Sequence, residues 1–216
     1  MLPFVSMKKI LIVIIIFIFV IAGFWGIRKI NLNAELEIGQ KIDSLNGVYV
    51  YYNGGVGNLE GRNISSDGYN IGMKYQCVEF VKRYYYEYYQ HKMPDSYGNA
   101  KDFFDSELED GEMNTKRNLL QFRNPSREQP KVGDLVVYAP SLLNRFGHVA
   151  IISKVSREHV EIIQQNPGPF ALSRERYMLE KTNGDRWKIE NKRILGWLSK
   201  THDSIQSNIK TAKNMQ

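Results

Sequence analysis

The chain has 216 residues and a mass of 25.1 kDa, which suits one ordinary domain with an appendage and excludes two large domains. Hydrophobic residues make up 43% and charged residues 24%, which excludes a disordered chain, and a single cysteine excludes a disulfide scaffold. The formal charge of +6 comes from the two ends, since residues 1–29 carry +4, residues 200–216 carry +2 and residues 30–199 are neutral. A neutral body attracts a phosphate backbone weakly, so we expect no nucleic acid as a partner.

The first predicted element is an apolar helix near the N-terminus. Residues 10–27 carry no charge and no Pro, and as a helix they span about 27 Å at roughly 1.5 Å per residue, close to the thickness of a bilayer core. Three interpretations are open: a buried core helix, a cleavable secretory signal and an uncleaved signal anchor. We favour the anchor because the apolar run continues past Ala22 into Phe24 and Trp25, an aromatic pair suited to the membrane interface.

The charges beside this segment predict its orientation. Lys8, Lys9 and the amino terminus slightly outweigh Arg28 and Lys29, and the more positive side stays in the cytoplasm. We therefore expect a single-pass membrane protein whose domain lies outside the cytoplasm, or a secreted protein if the segment is cleaved.

The chain after this segment is expected to form one domain. We divide the sequence into a signal anchor or transmembrane segment at residues 1–29, a domain at residues 30–200 and a polar tail at residues 201–216. The tail lacks an apolar pattern, so no packed element is expected there.

The first half of the domain combines strands, turns and helices. Residues 31–75 are rich in Gly, Asn, Ser and Tyr, which predicts strands and turns without a long helix. Residues 76–89 contain no Gly or Pro and repeat apolar positions every three or four residues, which predicts an amphipathic helix. A second helix is expected over residues 100–108 and a loop over residues 111–131.

The second half changes to a pattern typical of strands. Short runs rich in Val and Ile predict strands at 134–138, 148–155, 160–165 and 193–198. Because helix comes first and antiparallel strands follow, the order of elements indicates an α+β fold.

Cys77, the single thiol of the sequence, stands in the first turn of the predicted helix. Unpaired amide N–H groups and the helix dipole at that end favour the thiolate over the thiol. Gln76, directly before it, offers an amide that could donate to a developing oxyanion together with the Cys77 backbone N–H. The pair predicts a nucleophile with its oxyanion hole, and the alternative is a buried structural cysteine.

His148 is the favoured candidate base among four histidines. It follows Gly147 and opens a predicted strand, where it can face a helix N-terminus packed on the sheet. Surface solvation explains His91, in a polar stretch, and His202, in the tail, while His159 lies in the predicted hairpin turn.

The predicted hairpin supplies a third group for the site. A turn centred on Arg157 places His148 opposite Asn166 and Ala150 opposite Gln164, so all four side chains share one face. An amide oxygen of Gln164 or Asn166 would then hold the imidazole in the tautomer that accepts the thiol proton. The alternative is that these amides are ordinary polar residues at a strand end.

Several motifs, in this order, resemble the CHAP family of cysteine- and histidine-dependent amidohydrolases and peptidases. They occupy residues 75–80 with Arg83, residues 133–138, residues 147–152, residues 164–166 and residues 194–197. The resemblance covers about residues 45–200, and within the family it is to the amidase domain of glutathionylspermidine synthetase/amidase.

The resemblance implies a papain-like fold, in which the helix that carries Cys77 packs on an antiparallel sheet. It implies Cys77 as the nucleophile, His148 as the general base, and Gln76 with the Cys77 N–H as the oxyanion hole. The family commonly has Glu at the position of Gln164. A neutral amide still orients the histidine but gives less electrostatic support to an imidazolium.

The predicted function is that of a membrane-tethered cysteine amidase or peptidase. Export favours peptide bonds of peptidoglycan, whereas the resemblance favours an amide between glutathione and a polyamine, and we prefer the first slightly. The alternative class is a catalytically silent domain that binds peptides, which the Gln at position 164 supports.

No cofactor and no metal are expected, because no His or Cys pair has ligand spacing. Glu79, Arg83 and Glu87 lie four residues apart on the predicted helix, which indicates a ladder of surface ion pairs.

Overall fold

A computed structural model describes residues 7–27, 30–142 and 144–201 of the chain. Its helices are α1 (Met7–Ile27) and α2 (Cys77–Tyr89), with a 3₁₀ turn at Ala100–Phe103. The strands in this part of the chain are β1 (Lys41–Leu45), β2 (Val48–Tyr51), β3 (Arg62–Ile64), β4 (Asn70–Met73), β5 (Glu112–Asn114), β6 (Leu119–Arg123), β7 (Leu135–Tyr138), β8 (His148–Val155), β9 (His159–Ile163), β10 (Arg174–Lys181), β11 (Trp187–Ile189) and β12 (Ile194–Ser199). The predicted polar tail lies outside the described residues apart from Thr201.

The described strands assemble mainly into one antiparallel sheet. Its eight strands follow the order β11-β10-β9-β8-β7-β12-β6-β5, and the Gly-rich stretch before α2 adds the two-stranded sheets β1–β2 and β3–β4. α2 contacts β2, β4 and β8, so the helix joins the small sheets to the large one. A mixed architecture with an antiparallel sheet was expected from the sequence, and this coarse prediction is confirmed.

α2 is held on the sheet by its apolar side. Phe80, Val81, Tyr84 and Tyr85 are fully buried and belong to one core cluster with residues of β7, β8, β9 and β12. Each such side chain contributes roughly 1.5–3 kcal/mol when it is fully buried. The packing therefore anchors the helix, and with it the position of its first residue.

The β8–β9 hairpin has the predicted register at the end nearest the helix. Ile151 pairs with Ile163 and Ile152 pairs with Ile162, as expected from a turn at residue 157. A bulge then shifts the pairing on the turn side, so that Lys154 pairs with Glu161. The pairs expected beside the site, His148 with Asn166 and Ala150 with Gln164, involve residues beyond the end of β9 at Ile163, so the observed register extends only to Ile151.

Two predicted elements differ from the structure. The expected helix over residues 100–108 is reduced to the turn Ala100–Phe103, because Gln121 hydrogen-bonds through its amide to the backbone N–H and C=O of Asp105 and holds that segment outside a helix. The expected loop over residues 111–131 contains β5 and β6, and β10 and β11 had no counterpart in the prediction. These strands are short or largely exposed, and pairing with neighbours in the sheet stabilises them.

α1 is a helix long and apolar enough to cross a bilayer, and a signal sequence meets the same criteria. None of its window Met7–Phe24 is buried against the rest of the described chain. The interpretation as a buried core helix is therefore excluded for this structure.

Candidate active site

Cys77 begins α2, and the chain reaches it through a tight turn. Tyr75 has a left-handed backbone conformation (φ 65°), and Gln76 is extended as the residue before the helix. The half-buried thiol accepts hydrogen bonds from the backbone of Cys77 itself and of Val78 at the helix N-terminus. A further hydrogen bond from the backbone of Val149 brings the thiol to the start of β8.

Burial raises the pKa of the Cys77 thiol to about 11, because desolvation outweighs the hydrogen bonds from the backbone of Val149, Val78 and Cys77 itself. The expectation that the helix N-terminus would make Cys77 a thiolate is therefore wrong for the resting structure. The N–H groups do favour negative charge, but the loss of water costs more. At neutral pH the side chain is a thiol that needs a base when it attacks.

His148 opens β8 and is hydrogen-bonded to Gln164. Its Nε2 lies 2.8 Å from Gln164 Oε1. Gln164 Nε2 donates to the carbonyl of Leu172 (3.2 Å), which fixes the amide so that the oxygen faces the ring. His148 Nε2 must then carry the proton, and Nδ1 keeps its lone pair. This is the tautomer that a general base needs.

The surroundings of His148 keep its ring neutral. Burial lowers the pKa of His148 to about 4; the hydrogen bond to Gln164 opposes this effect and the charge of Arg193 adds to it. Gly147 holds the residue in place: its φ is 76°, and a Cβ at this position would lie 2.7 Å from the carbonyl oxygen of Tyr138, so only glycine fits. Thiol and imidazole are both uncharged at pH 7.

Asn166 and Gln76 bond to one another, and neither has a hydrogen bond to His148 among those the described residues form. Asn166 Nδ2 donates to Gln76 Oε1 (2.8 Å) and to the carbonyl of Val56 (3.0 Å). Gln76 Nε2 donates to the carbonyl of Asn58 (2.6 Å), so the amide expected at the oxyanion is directed at residues 56–58. Of the two amides considered for orienting the histidine, Gln164 is the one that contacts it.

A buried ion pair behind the site was not anticipated. Glu79 and Arg83 are 2% and 5% exposed and lie 2.7 Å apart. Gln165, fully buried, donates to Glu79 (2.9 Å) and accepts from the backbone N–H of Tyr51 (2.8 Å). The predicted surface ladder is wrong for Glu79 and Arg83, while Glu87 is exposed. The spacing identified the pair, but only packing against the strands buries it.

A cavity of about 860 Å³ opens at the site, and both Cys77 and His148 line it. Residues 56–59, the β3–β4 pair, residues 96–100 and the segment before β8 form its other sides. A volume of this size is within the range of small-molecule and peptide sites. Across the described residues, no three His, Cys, Asp or Glu side chains are grouped so that they could hold a metal ion.

Known proteins share the segment that contains this site. Residues 67–166 match the family model of the CHAP domain. Glutathionylspermidine synthase of Crithidia fasciculata is 31% identical over 140 residues, which cover 60% of this chain and 19% of that protein. Trypanothione synthetase of the same organism is 30% identical over 108 residues, covering 50% of this chain and 17% of that protein. The chain spans less than a fifth of the length of these relatives.

Among solved structures, the crystal structure of Ly7917 is similar at 15% sequence identity with a TM-score of 0.28, over 46% of this chain and 41% of that chain. The matched family segment begins before Cys77 and ends at Asn166, and it includes His148 and Gln164. Residues 67–166 therefore match a CHAP domain, as the sequence motifs indicated.

Proposed function

We propose that this protein is a cysteine-dependent amidase or peptidase in which Cys77 is the nucleophile and His148 the general base. The observation that carries the proposal is the hydrogen bond between His148 Nε2 and Gln164 Oε1, because it leaves Nδ1 as the proton acceptor. The Cys77 thiol accepts a hydrogen bond from the backbone of Val149, the residue after His148, and the side chains of Cys77 and His148 line one cavity.

The proposed reaction proceeds through a thioester. His148 Nδ1 takes the Cys77 proton as the sulfur attacks the amide carbonyl carbon, and it then gives this proton to the leaving amine nitrogen. A water molecule next attacks the thioester, losing its proton to Nδ1, and the sulfur departs and regains a proton. The neutral resting pair requires that the first proton transfer accompany the attack. Gln164 keeps the proton on Nε2 throughout.

We infer a papain-like arrangement for this chemistry, with the Cys77 backbone N–H and the Gln76 amide as oxyanion donors. The Gln76 amide would have to exchange its hydrogen bond to Asn58 for one to the substrate. Asn166 takes the role of holding Gln76 rather than of orienting His148.

We propose that the domain acts outside the cytoplasm, tethered through residues 10–27, and that peptide amides of peptidoglycan are its substrates. The exposed apolar helix α1 supports the tether. The relatives named for glutathionylspermidine and trypanothione support the other candidate, an amide between glutathione and a polyamine.

Digestion of both materials tests the proposal. The full chain in a neutral detergent is incubated with purified peptidoglycan and, separately, with glutathionylspermidine, and the products are identified by mass spectrometry. We expect new amino and carboxyl ends in the peptidoglycan peptides and none with the Cys77→Ala control. Cleavage of glutathionylspermidine alone would make it the substrate in place of peptidoglycan. Cleavage of neither material would refute the proposed amidase activity.

A catalytically silent peptide-binding domain is the second candidate. The raised pKa of Cys77 and the neutral amide of Gln164 favour it, since both weaken the nucleophile. It predicts that the wild-type chain and Cys77→Ala bind peptidoglycan peptides equally well and that neither releases a product.

A further inference from the structure

The cavity beside Cys77 carries positive charge. Arg62 and Arg145 line it, and no Asp or Glu is found among the described residues that do so. His148 is neutral at pH 7 and therefore changes this balance little. Because residues 30–199 have no net charge, the positive charge is a local feature of the cavity.

Two buried cations lie behind the same side of the cavity. Lys82 and Arg117 are each 1% exposed. Lys82 Nζ donates to the carbonyls of Asn70 and Ser96, and Arg117 donates to the carbonyl of Asp95 (2.5 Å). Within the part of the chain that the structure describes, neither forms an ion pair. Backbone carbonyls accept hydrogen bonds from both cations, while Arg117 Nε has no hydrogen-bond partner among the described residues. Nearby carboxylates offset the two charges only through space, without a direct ion pair.

The pKa of Lys82 reports this excess of positive charge. Burial is the largest of the effects that lower it to about 8, and the charges of Arg117 and Arg62 are the next largest. The carboxylates of Asp95 and Glu79 oppose this by smaller amounts. Cations thus outweigh anions around this side of the cavity.

Arg62 is a cation that lines the cavity within this region of positive charge. It lies on β3 and is exposed, with Nη1 donating to Asn70 Oδ1 (2.9 Å) and the guanidinium 5.7 Å from the ring centroid of Tyr97. A guanidinium has five N–H donors, so this anchoring leaves donors for a ligand. Its planar fork matches the two oxygens of a carboxylate.

We propose that Arg62 binds a carboxylate of the substrate, so that the cavity selects acidic peptides and rejects amides of polyamines. The inference rests on the proposed amidase function and adds the class of its substrate. A polyamine would bring several positive charges into a cavity lined by Arg62 and Arg145, where like charges repel. The glutathionyl part of the other substrate keeps one free carboxylate, so repulsion of its polyamine part is what makes acidic peptides the better fit of the two.

Binding to the inactive full chain tests the selection without requiring turnover. Acetylated alanine tripeptide amides with one glutamate at the first, second or third position are each paired with their glutamine counterpart. Calorimetry with Cys77→Ala in neutral detergent measures all six affinities. We expect at least one glutamate peptide to bind about tenfold more tightly than its partner, a ratio equal to about 1.4 kcal/mol.

Arg62 variants identify the residue responsible. Arg62→Gln should reduce that ratio to within about twofold, and Arg62→Lys should leave an intermediate ratio because it keeps the charge but loses the fork. Arg157→Gln is the matched control, since Arg157 is exposed in the turn at the far end of β8 from His148, and it should keep the full ratio.

Equal affinities within all three pairs would overturn the proposal, and so would a ratio that survives Arg62→Gln. Displacement of the glutamate peptide by equimolar spermidine would also overturn it. Hydrolysis by the wild-type chain is measured separately on the same peptides. A carboxylate preference in binding, combined with no cleavage of these peptides, of peptidoglycan or of glutathionylspermidine, would support the Arg62 site and refute the amidase.

Discussion

Replacement of Gln164 by Glu tests how the histidine is held. The wild-type amide places Oε1 2.8 Å from His148 Nε2, while its Nε2 donates to the carbonyl of Leu172. Gln164→Glu keeps the acceptor, adds a negative charge beside the ring and removes the donor to Leu172. Gln164→Ala removes both contacts.

The charge has a calculable effect on the ring. Two unit charges about 4 Å apart interact by about 4 kcal/mol at an effective dielectric constant of about 20, and partial solvent access reduces this. An opposite charge at this range shifts a pKa by about 1–3 units. The pKa of His148, about 4 in the wild type, should therefore rise to about 5–7 in Gln164→Glu. The carboxylate oxygen that replaces the donor faces the Leu172 carbonyl, so stability should fall by about 1–3 kcal/mol.

The pH dependence of kcat/KM reveals the shift. Catalysis requires an unprotonated His148 Nδ1, so the acid limb of the profile should move upward with the pKa, by about 1–3 pH units. At pH 7 Gln164→Glu should keep or raise the rate, because it stabilises the imidazolium that forms during attack. Gln164→Ala should lose about 10- to 100-fold, because the ring is no longer oriented. Gln90→Glu, exposed at the opposite end of α2, controls for added charge.

The opposite result would be an acid limb of Gln164→Glu that coincides with that of the wild type, together with a full rate in Gln164→Ala. Gln164 would then play no part in orienting His148. A shift of equal size in Gln90→Glu would instead attribute the effect to net charge.

Iodoacetamide should modify Cys77 slowly at pH 7, and the rate should rise about tenfold per pH unit up to about pH 10, because burial holds the thiol pKa near 11. A rate that is already constant near neutral pH would contradict this. Glu79→Ala should lower the free energy of unfolding by about 3–5 kcal/mol in denaturant melts, because it leaves the charge of Arg83 buried without a partner. The control Glu87→Ala should change it by less than about 0.5 kcal/mol. Equal losses in the two variants would show that the buried ion pair contributes no more than an exposed residue. Since the pKa of His148 is about 4 in the folded protein against a usual 6.5, its neutral form contributes stability that is complete above pH 6.5 and is lost as the pH falls toward 4. Thermal melts of His148→Gln should lack this acid loss, and identical pH slopes in the two proteins would disprove it.

The amino-acid sequence determined the elements whose signals are local. The three- to four-residue spacing of apolar residues over 76–89 predicted α2, and the runs rich in Val and Ile predicted β7, β8, β9 and β12. The register of the hairpin beside the site also followed from the position of its turn. From these patterns alone, Cys77 lies at a helix start and His148 at a strand start.

Tertiary structure decided what depends on contacts between distant segments. The predicted hairpin left both Gln164 and Asn166 open as orienters, and the resemblance implied Gln164. The packing of residue 172 and of residues 56–58 assigns the first amide to His148 and the second to Gln76. The short strand β6 exists because β5 and β12 pair with it.

The protonation states of Cys77 and His148 also depend on contacts between distant segments. At the sequence level a helix N-terminus favours a Cys77 thiolate, but desolvation in the folded chain raises its pKa and lowers that of His148. Burial likewise turned Glu79 and Arg83 from a predicted surface pair into an internal one. The periodicity of apolar residues can be read along the chain, whereas the removal of water from a charge depends on every segment that packs around it.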